Sequence, residues 1–164
     1  MDVMSTRHRS PEPKCQIVRT LDIVGEKWSL LIVRDAMRGL TRFSEFRDSL
    51  RAPTDILSAR LARLVETGIL EKRVYREEGQ RERASYHLTE AGHGLKVVLA
   101  SMMQWNDRFD PAPAGAASVL VGPKADSSVE APLALAFVDP AGRTVEPGSV
   151  AIVPGPGGTW RSRA

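Results

Sequence analysis

Apolar positions recur at helical spacing through most of the first hundred residues and then give way to irregular, turn-rich sequence. Ile17, Val18, Leu21 and Val24 predict a short amphipathic helix from Cys15 to Val24, broken by Gly25-Glu26-Lys27. Trp28 to Arg38 follows, with Trp28, Leu31, Ile32 and Ala36 on one side and Leu30, Val33 and Met37 beside them. So wide an apolar arc belongs at the centre of a core, and Gly39 suits the helix C-terminus. Thr41 can cap a third helix carrying Phe43, Phe46 and Leu50. Arg51-Ala52-Pro53 leaves room only for a tight turn before a fourth helix, opened by Pro53 or Thr54, turned inward at Leu57, Leu61, Leu64 and Val65, and closed by Gly68. Two helices joined so closely form a helix-turn-helix unit.

Two extended stretches come next, Ile69 to Arg76 and Arg83 to Leu88, around the polar loop Glu77 to Glu82, which predicts an antiparallel hairpin. Thr89 then caps a last helix, weakened early by Gly92 and Gly94, with the stripe Leu95, Val98, Leu99, Met102, Trp105 and Phe109. The predicted fold is therefore mainly α with a small β-hairpin wing, an α+β winged helix-turn-helix.

Proline and glycine divide the chain. Residues 1–109 hold 3 Pro and 6 Gly, and residues 110–164 hold 8 Pro and 7 Gly. The expected organisation is a flexible arm (1–13), a winged helix-turn-helix DNA-binding and dimerisation domain (14–109), a linker (110–131) and a C-terminal β-hairpin extension (132–164). Charge follows the same division. The tail has four basic and five acidic side chains, the first 109 residues nineteen and fifteen, so the positive excess lies where a polyanion would dock. No apolar run approaches the roughly 20 residues of a bilayer span, and the N-terminus has no apolar core of a secretory signal. A cytoplasmic protein is expected.

A winged helix reads a duplex with the second helix of its pair. Its exposed positions here are Thr54, Asp55, Ser58, Ala59, Ala62 and Arg63, with Arg60 at the edge of the buried stripe. Thr54 and Ser58 suit bases or phosphate, Asp55 a cytosine amine or the helix cap, and Arg60 and Arg63 phosphate or guanine. Thr41 and Arg42 join this set at the start of the helix-turn-helix, and Arg73, Arg76, Arg81 and Arg83 in the wing. The alternative is that these arginines, interleaved with Glu77, Glu78 and Glu82, only solvate the helix face and hairpin tip.

Cys15, the one cysteine, excludes a disulfide framework and a multi-cysteine zinc site. At a helix start near Lys14 and Arg19 it is a candidate redox-sensing thiol, against the alternative of a buried structural one. His8, His87 and His93 lack metal-ligand spacing, and Gly155-Pro156-Gly157-Gly158 lacks the lysine and helix of a phosphate loop. No metal, no cofactor and no catalytic constellation is expected; the chain does not read as an enzyme.

Cys15, then Leu21-Asp22-Ile23-Val24-Gly25-Glu26-Lys27-Trp28, Arg42-Phe43-Ser44-Glu45-Phe46, Leu57-Ser58-Ala59-Arg60-Leu61, Gly68-Ile69-Leu70 and Tyr86 through Gly92 together resemble the HxlR-type, MarR-like family of bacterial transcriptional regulators. The resemblance spans about residues 14–109. It implies a homodimeric repressor or activator on a pseudo-palindromic double-stranded DNA operator, paired through its terminal helices. Here those would offer Ile17, Leu21, Leu95, Leu99, Met102, Met103 and Trp105. It also implies that a cysteine at the position of Cys15 can sense oxidants or aldehydes. Two other readings stay open: a small-molecule-responsive regulator with a pocket between the helices and the extension, and a winged-helix protein-interaction module.

Overall fold

The computed structural model describes residues 15–76, 81–123 and 130–156. The expected N-terminal arm, the tip of the wing at 77–80, positions 124–129 of the expected linker and the proline-glycine end beyond residue 156 lie outside them. The described elements are α1 (Gln16–Val24), α2 (Lys27–Met37), α3 (Phe43–Leu50), α4 (Thr54–Glu66), β1 (Leu70–Tyr75), β2 (Arg83–Leu88), α5 (Glu90–Gly94), α6 (Lys96–Phe109), β3 (Val121–Pro123), β4 (Glu130–Pro132), β5 (Phe137–Val138) and β6 (Thr144–Val145), followed by a 3-10 turn at Pro147–Ser149. They fall into two compact units, one holding residues up to His93 and from Val153, the other Gly94–Ile152.

In the first unit α2 is central, with Ile32 and Val33 wholly inside beside Val24, Phe46, Leu57, Leu61, Leu64 and Leu70. The helix ends as its glycine requires. Gly39 takes φ +96, and the Gly39 and Leu40 amides donate to the Ala36 and Asp35 carbonyls at 3.0 and 3.1 Å. Gly68, at φ +73, closes α4 in the same way, with Ile69 N–H donating to Leu64 O at 2.9 Å. Arg51 turns the chain between α3 and α4 at φ 50, and Pro53 stands as the N-cap of α4.

A buried charge ties α2 to the end of α3. Asp35 is fully buried; Ser49 Oγ donates to its Oδ2 at 2.7 Å, and Arg34 Nε to Oδ1 at 2.8 Å. Arg38 Nη1 reaches the same Oδ1 at 3.4 Å.

The wing is the expected hairpin, β1 and β2 running antiparallel from Leu70↔Leu88 to Tyr75↔Arg83. It has a third member that the pattern of residues did not reveal. Thr41 O accepts from Tyr86 N–H at 2.7 Å, and Arg42 bridges to Ser85. Thr41 is therefore not the cap of α3. Arg42 is the N-cap, in extended conformation, and the Glu45 carboxylate accepts from the Thr41 and Arg42 amides at 2.8 Å each. A carboxylate one turn into the helix reaches back to the N-cap amide and the one before it, the half of a capping box that the N3 side chain supplies.

Thr89 does cap, but it caps α5: its Oγ1 donates to Gly68 O at 2.6 Å and accepts from Gly92 N–H at 3.1 Å. The long final helix predicted from Thr89 is divided at Gly94–Leu95 into α5 and α6.

The second unit contains α6 and two small ladders, β3 with β4 and β5 with β6. The stretch expected as linker thus contributes β3 and the start of β4, and the expected terminal hairpin shrinks to two residues per strand. Pro140, Gly142 and Pro147 crowd its ends with turn-forming residues. The turn is closed by Asp139, whose Oδ1 accepts from the Ala141 and Arg143 amides and whose Oδ2 meets the Arg143 guanidinium at 2.7 Å. Those bonds hold its carboxyl below the usual carboxylate range. Gln104 on α6 bonds both ways to the backbone of Leu135, its Nε2 donating to O at 2.9 Å and its Oε1 accepting from N–H at 2.8 Å.

Candidate nucleic-acid interface

The face of α4 opposite Leu57, Leu61 and Leu64 carries Thr54, Asp55, Ser58, Ala59 and Ala62, all exposed. A carboxylate in the first turn suits the positive end of the helix, so Asp55 fits its cap-side position. Arg63 is half-buried and bonded through Nη1 to Glu66 Oε2 at 2.7 Å. Arg60 leaves the outward face altogether, with Nη2 3.3 Å from Glu26 Oε2. The sequence places it at the edge of the buried stripe with a phosphate or guanine role; one residue before Leu61 and three after Leu57, its stem follows that stripe.

Alternation along β1 and β2 sorts the wing. Glu71, Arg73 and Tyr75 share one face with their partners His87, Ser85 and Arg83. Arg42 reaches this face too, its guanidinium 5.0 Å from the centre of the Tyr75 ring. Three guanidinium groups therefore lie on one side of the ribbon, Arg73 paired with the Glu71 carboxylate. Lys72 and Val74 occupy the other face, both exposed. Arg76 and Arg81 are exposed on either side of the undescribed tip. His87 is half-buried, with Nε2 2.9 Å from Ser85 Oγ. The two amides of Thr41 and Arg42 hold the Glu45 carboxyl below its ordinary range, and burial pushes the Tyr86 phenol up. Lys72 and the stacking of Arg42 on Tyr75 are features that sequence reasoning missed, because only the register shows which basic residues share a face.

Cys15 is half-buried at the N-cap of α1, where its carbonyl accepts from Arg19 N–H at 3.0 Å. Ile17 and Leu21, one turn apart, are 62% and 56% exposed. On α6, Val98, Met102, Trp105 and Phe109 form an exposed apolar stripe, with the Trp105 and Phe109 rings 5.5 Å apart. Leu99 and Met103 are half-buried. Leu95, expected with the pairing residues, is 9% exposed and has little surface left to offer. It stands at the N-cap of α6, at the junction with α5. Met103, Gln104 and Asp107 also border an open cleft of ≈ 250 Å³, completed by Ser118–Leu120 and Leu133–Ala134.

The profile of the HxlR-like helix-turn-helix matches residues 23–113, more than half of the chain. The chain belongs to this family. Among curated proteins, the uncharacterized HTH-type transcriptional regulator Mb3122 of Mycobacterium bovis is 42% identical over 97 residues, 59% of this chain. The match spans only 60% of that relative's own length. Among solved structures, PA1607, a candidate transcription factor, aligns with a TM-score of 0.69 at 37% identity, over 84% of this chain and 93% of its own. Residues 1–109 alone cannot supply so large a share, so the likeness extends past residue 109. The redox regulator HypR in its reduced form gives a TM-score of 0.52 at 29% identity, over 57% of this chain and 91% of its own. These similar proteins are transcription regulators or candidates for that role. Among the described residues of this HxlR-like chain, no helix is long and apolar enough to cross a membrane.

Proposed function

We propose that this chain is a sequence-specific DNA-binding regulator that acts as a homodimer on a pseudo-palindromic operator, with half-sites about 34 Å apart. The observation that carries this reading is the outward face of α4, where Thr54, Asp55 and Ser58 are exposed in the same compact unit as the wing face of Arg42, Arg73 and Arg83. Short polar groups on a helix suit base edges in a major groove, and guanidinium groups on a ribbon suit phosphates. The acidic groups among them keep the electrostatic grip modest. With DNA as partner, the cytoplasm is the expected place of action.

Pairing is supported by Ile17 and Leu21 on α1 and by the stripe of Val98, Met102, Trp105 and Phe109 on α6, all exposed in the single chain. Cys15 supplies the candidate switch: oxidation to a disulfide, with the partner's thiol or a small thiol, would tilt the helix it caps. The likeness to HypR supports that reading.

The test is selection of duplexes from random sequence by the purified protein, followed by titration across salt. A reader of DNA loses affinity steeply as salt rises. Binding that is insensitive to salt and sequence would favour a protein-docking module. For the switch, the selected duplex is titrated before and after oxidant with wild type and Cys15→Ser. Equal responses of the two proteins refute it. The cleft beside α6 supports a second reading, a small-molecule effector, which a ligand-dependent melting shift persisting in Cys15→Ser would favour.

A further inference from the structure

Arg60 lies at the edge of the buried stripe, as expected, but it meets Glu26 there, and its surroundings give it a different task. Its side chain is 28% exposed, its Nε is buried without a hydrogen-bond partner, and its Nη2 lies 3.3 Å from Glu26 Oε2. Burying a guanidinium N–H unsatisfied is unfavourable, and an arginine meant for phosphate would hold its donors free for that contact. Glu26, by contrast, is well exposed and is the N-cap of α2, the residue immediately after the corner where α1 ends.

That corner is tight. Gly25 N–H donates to Leu21 O at 2.7 Å, and a Cβ on Gly25 would sit 2.5 Å from that same oxygen. On its other side, Glu26 O accepts from Ser29 N–H at 2.8 Å, and Ser29 is buried. Glu26 is thus fixed to the last turn of α1 and the first turn of α2 together. A displacement of α1 carries the Glu26 backbone with it, and the Glu26 carboxylate is ion-paired at 3.3 Å with Arg60 in the middle of α4.

We propose that Glu26 and Arg60 form a positioning link: Arg60 sets the rotation of the reading helix α4 by holding Glu26 at the α1–α2 corner, and does not touch DNA. This rests on the DNA-reading function above. It gives α1, whose N-cap is Cys15, a direct mechanical connection to α4. Thr54, Asp55 and Ser58 share a helix with Arg60, so a small rotation about the helix axis changes which base edges they meet.

The experiment measures affinity for a duplex selected by the wild-type protein and for an unselected duplex of equal length, across salt, for wild type, Glu26→Gln, Arg60→Gln and the double variant. Neutralising an acidic side chain ordinarily strengthens binding to a polyanion. The link predicts the opposite. Glu26→Gln lowers the ratio of selected to unselected affinity, roughly two- to fivefold, the factor that a half-exposed ion pair supplies. Arg60→Gln lowers it by a similar factor, the double variant falls no further than either, and the slope of log affinity against log salt stays at the wild-type value.

The proposal is overturned if Arg60→Gln flattens the salt slope by about 0.9, the signature of one lost phosphate contact, while Glu26→Gln leaves or raises affinity. It is also overturned if the two factors multiply, or if neither variant changes the ratio. Should the wild-type protein select no duplex and bind none in a salt-dependent way, the DNA-reading function itself fails, which is a separate result. Thermal melts identify a variant that does not fold, and Glu26→Gln, at an exposed side chain, keeps the sign test available.

Discussion

Replacing Asp35 by alanine should destabilise the winged helix unit more than any other single polar truncation in it. The carboxylate is fully buried, takes the Ser49 hydroxyl at 2.7 Å and the Arg34 Nε at 2.8 Å, and meets Arg38 at 3.4 Å. A hydrogen bond to a charged group contributes about 1.5–3 kcal/mol, which is the share of Ser49. The arginines are 42% and 63% exposed, so water screens them and each adds at most about 1 kcal/mol. Removing the carboxylate also relieves the cost of burying a charge, and this offsets part of the loss. The net expectation is about 2–3 kcal/mol, or a melting temperature lower by roughly 10–20 °C for a unit of this size. Urea unfolding at constant m measures it directly. Asp35→Asn, which keeps an acceptor for Ser49, should lose only about half as much. If Asp35→Ala loses under about 0.5 kcal/mol, the carboxylate is not what fastens α3 to α2, and the geometry of the helix-turn-helix must rest on apolar contacts alone.

Three further outcomes follow from the wing and the helix termini. Arg81→Ala, at an exposed side chain beside the tip, should weaken binding to all duplexes alike and flatten the salt slope by about 0.9; a loss confined to one sequence would contradict a phosphate role. Gly92→Ala should cost about 1–3 kcal/mol by chemical unfolding, because its Cβ would lie 2.3 Å from Ile69 O and 2.9 Å from Leu88 Cδ2; unchanged stability would mean that α5 shifts freely. The lowered carboxyl of Glu45 contributes stability that is present above its ordinary value of 4.5 and lost as pH falls through its folded value, so Glu45→Gln should flatten the decline of stability below about pH 4.5. Coincident acid unfolding curves for the two proteins would refute that.

The framework of the fold was readable because helical spacing is written in side chains of one kind. Leu57, Leu61 and Leu64 announce α4, and the glycines at 39 and 68 announce where α2 and α4 stop. What stayed hidden depends on partners distant in sequence. Thr41 reads as a helix cap, yet its carbonyl is taken by Tyr86 and the cap is supplied by Glu45. A hydroxyl cap would serve amides inside the first turn and Glu45 serves the two before it, and the chain alone does not say which is used. Arg60 reads as a stripe-edge arginine able to reach phosphate; its partner Glu26, thirty-four residues earlier, is not visible in the spacing. The wing arginines were all identified, but their division between faces follows from the β1–β2 register and not from their number.

The stripe on α6 shows the same ambiguity in a form that can be resolved. Apolar spacing alone does not say whether Leu95, Leu99, Met102 and Trp105 cover the chain's own core or await a second copy. The structure separates them: Leu95 is 9% exposed, whereas Met102 and Trp105 are 53% and 62% exposed. Burying a large aromatic at the centre of an interface contributes about 2 kcal/mol or more, so Trp105→Glu should weaken self-association at least about thirtyfold. It should cost the separated chain far less, because most of the indole is already exposed there and the intramolecular loss is chiefly its contact with Phe109. Sedimentation over a concentration series, with a parallel unfolding curve on the dilute protein, distinguishes the cases. A variant that stays paired as the wild type does would show that pairing does not use this stripe, and one that unfolds while wild type remains folded at the same dilution would show that the indole supports the chain's own fold.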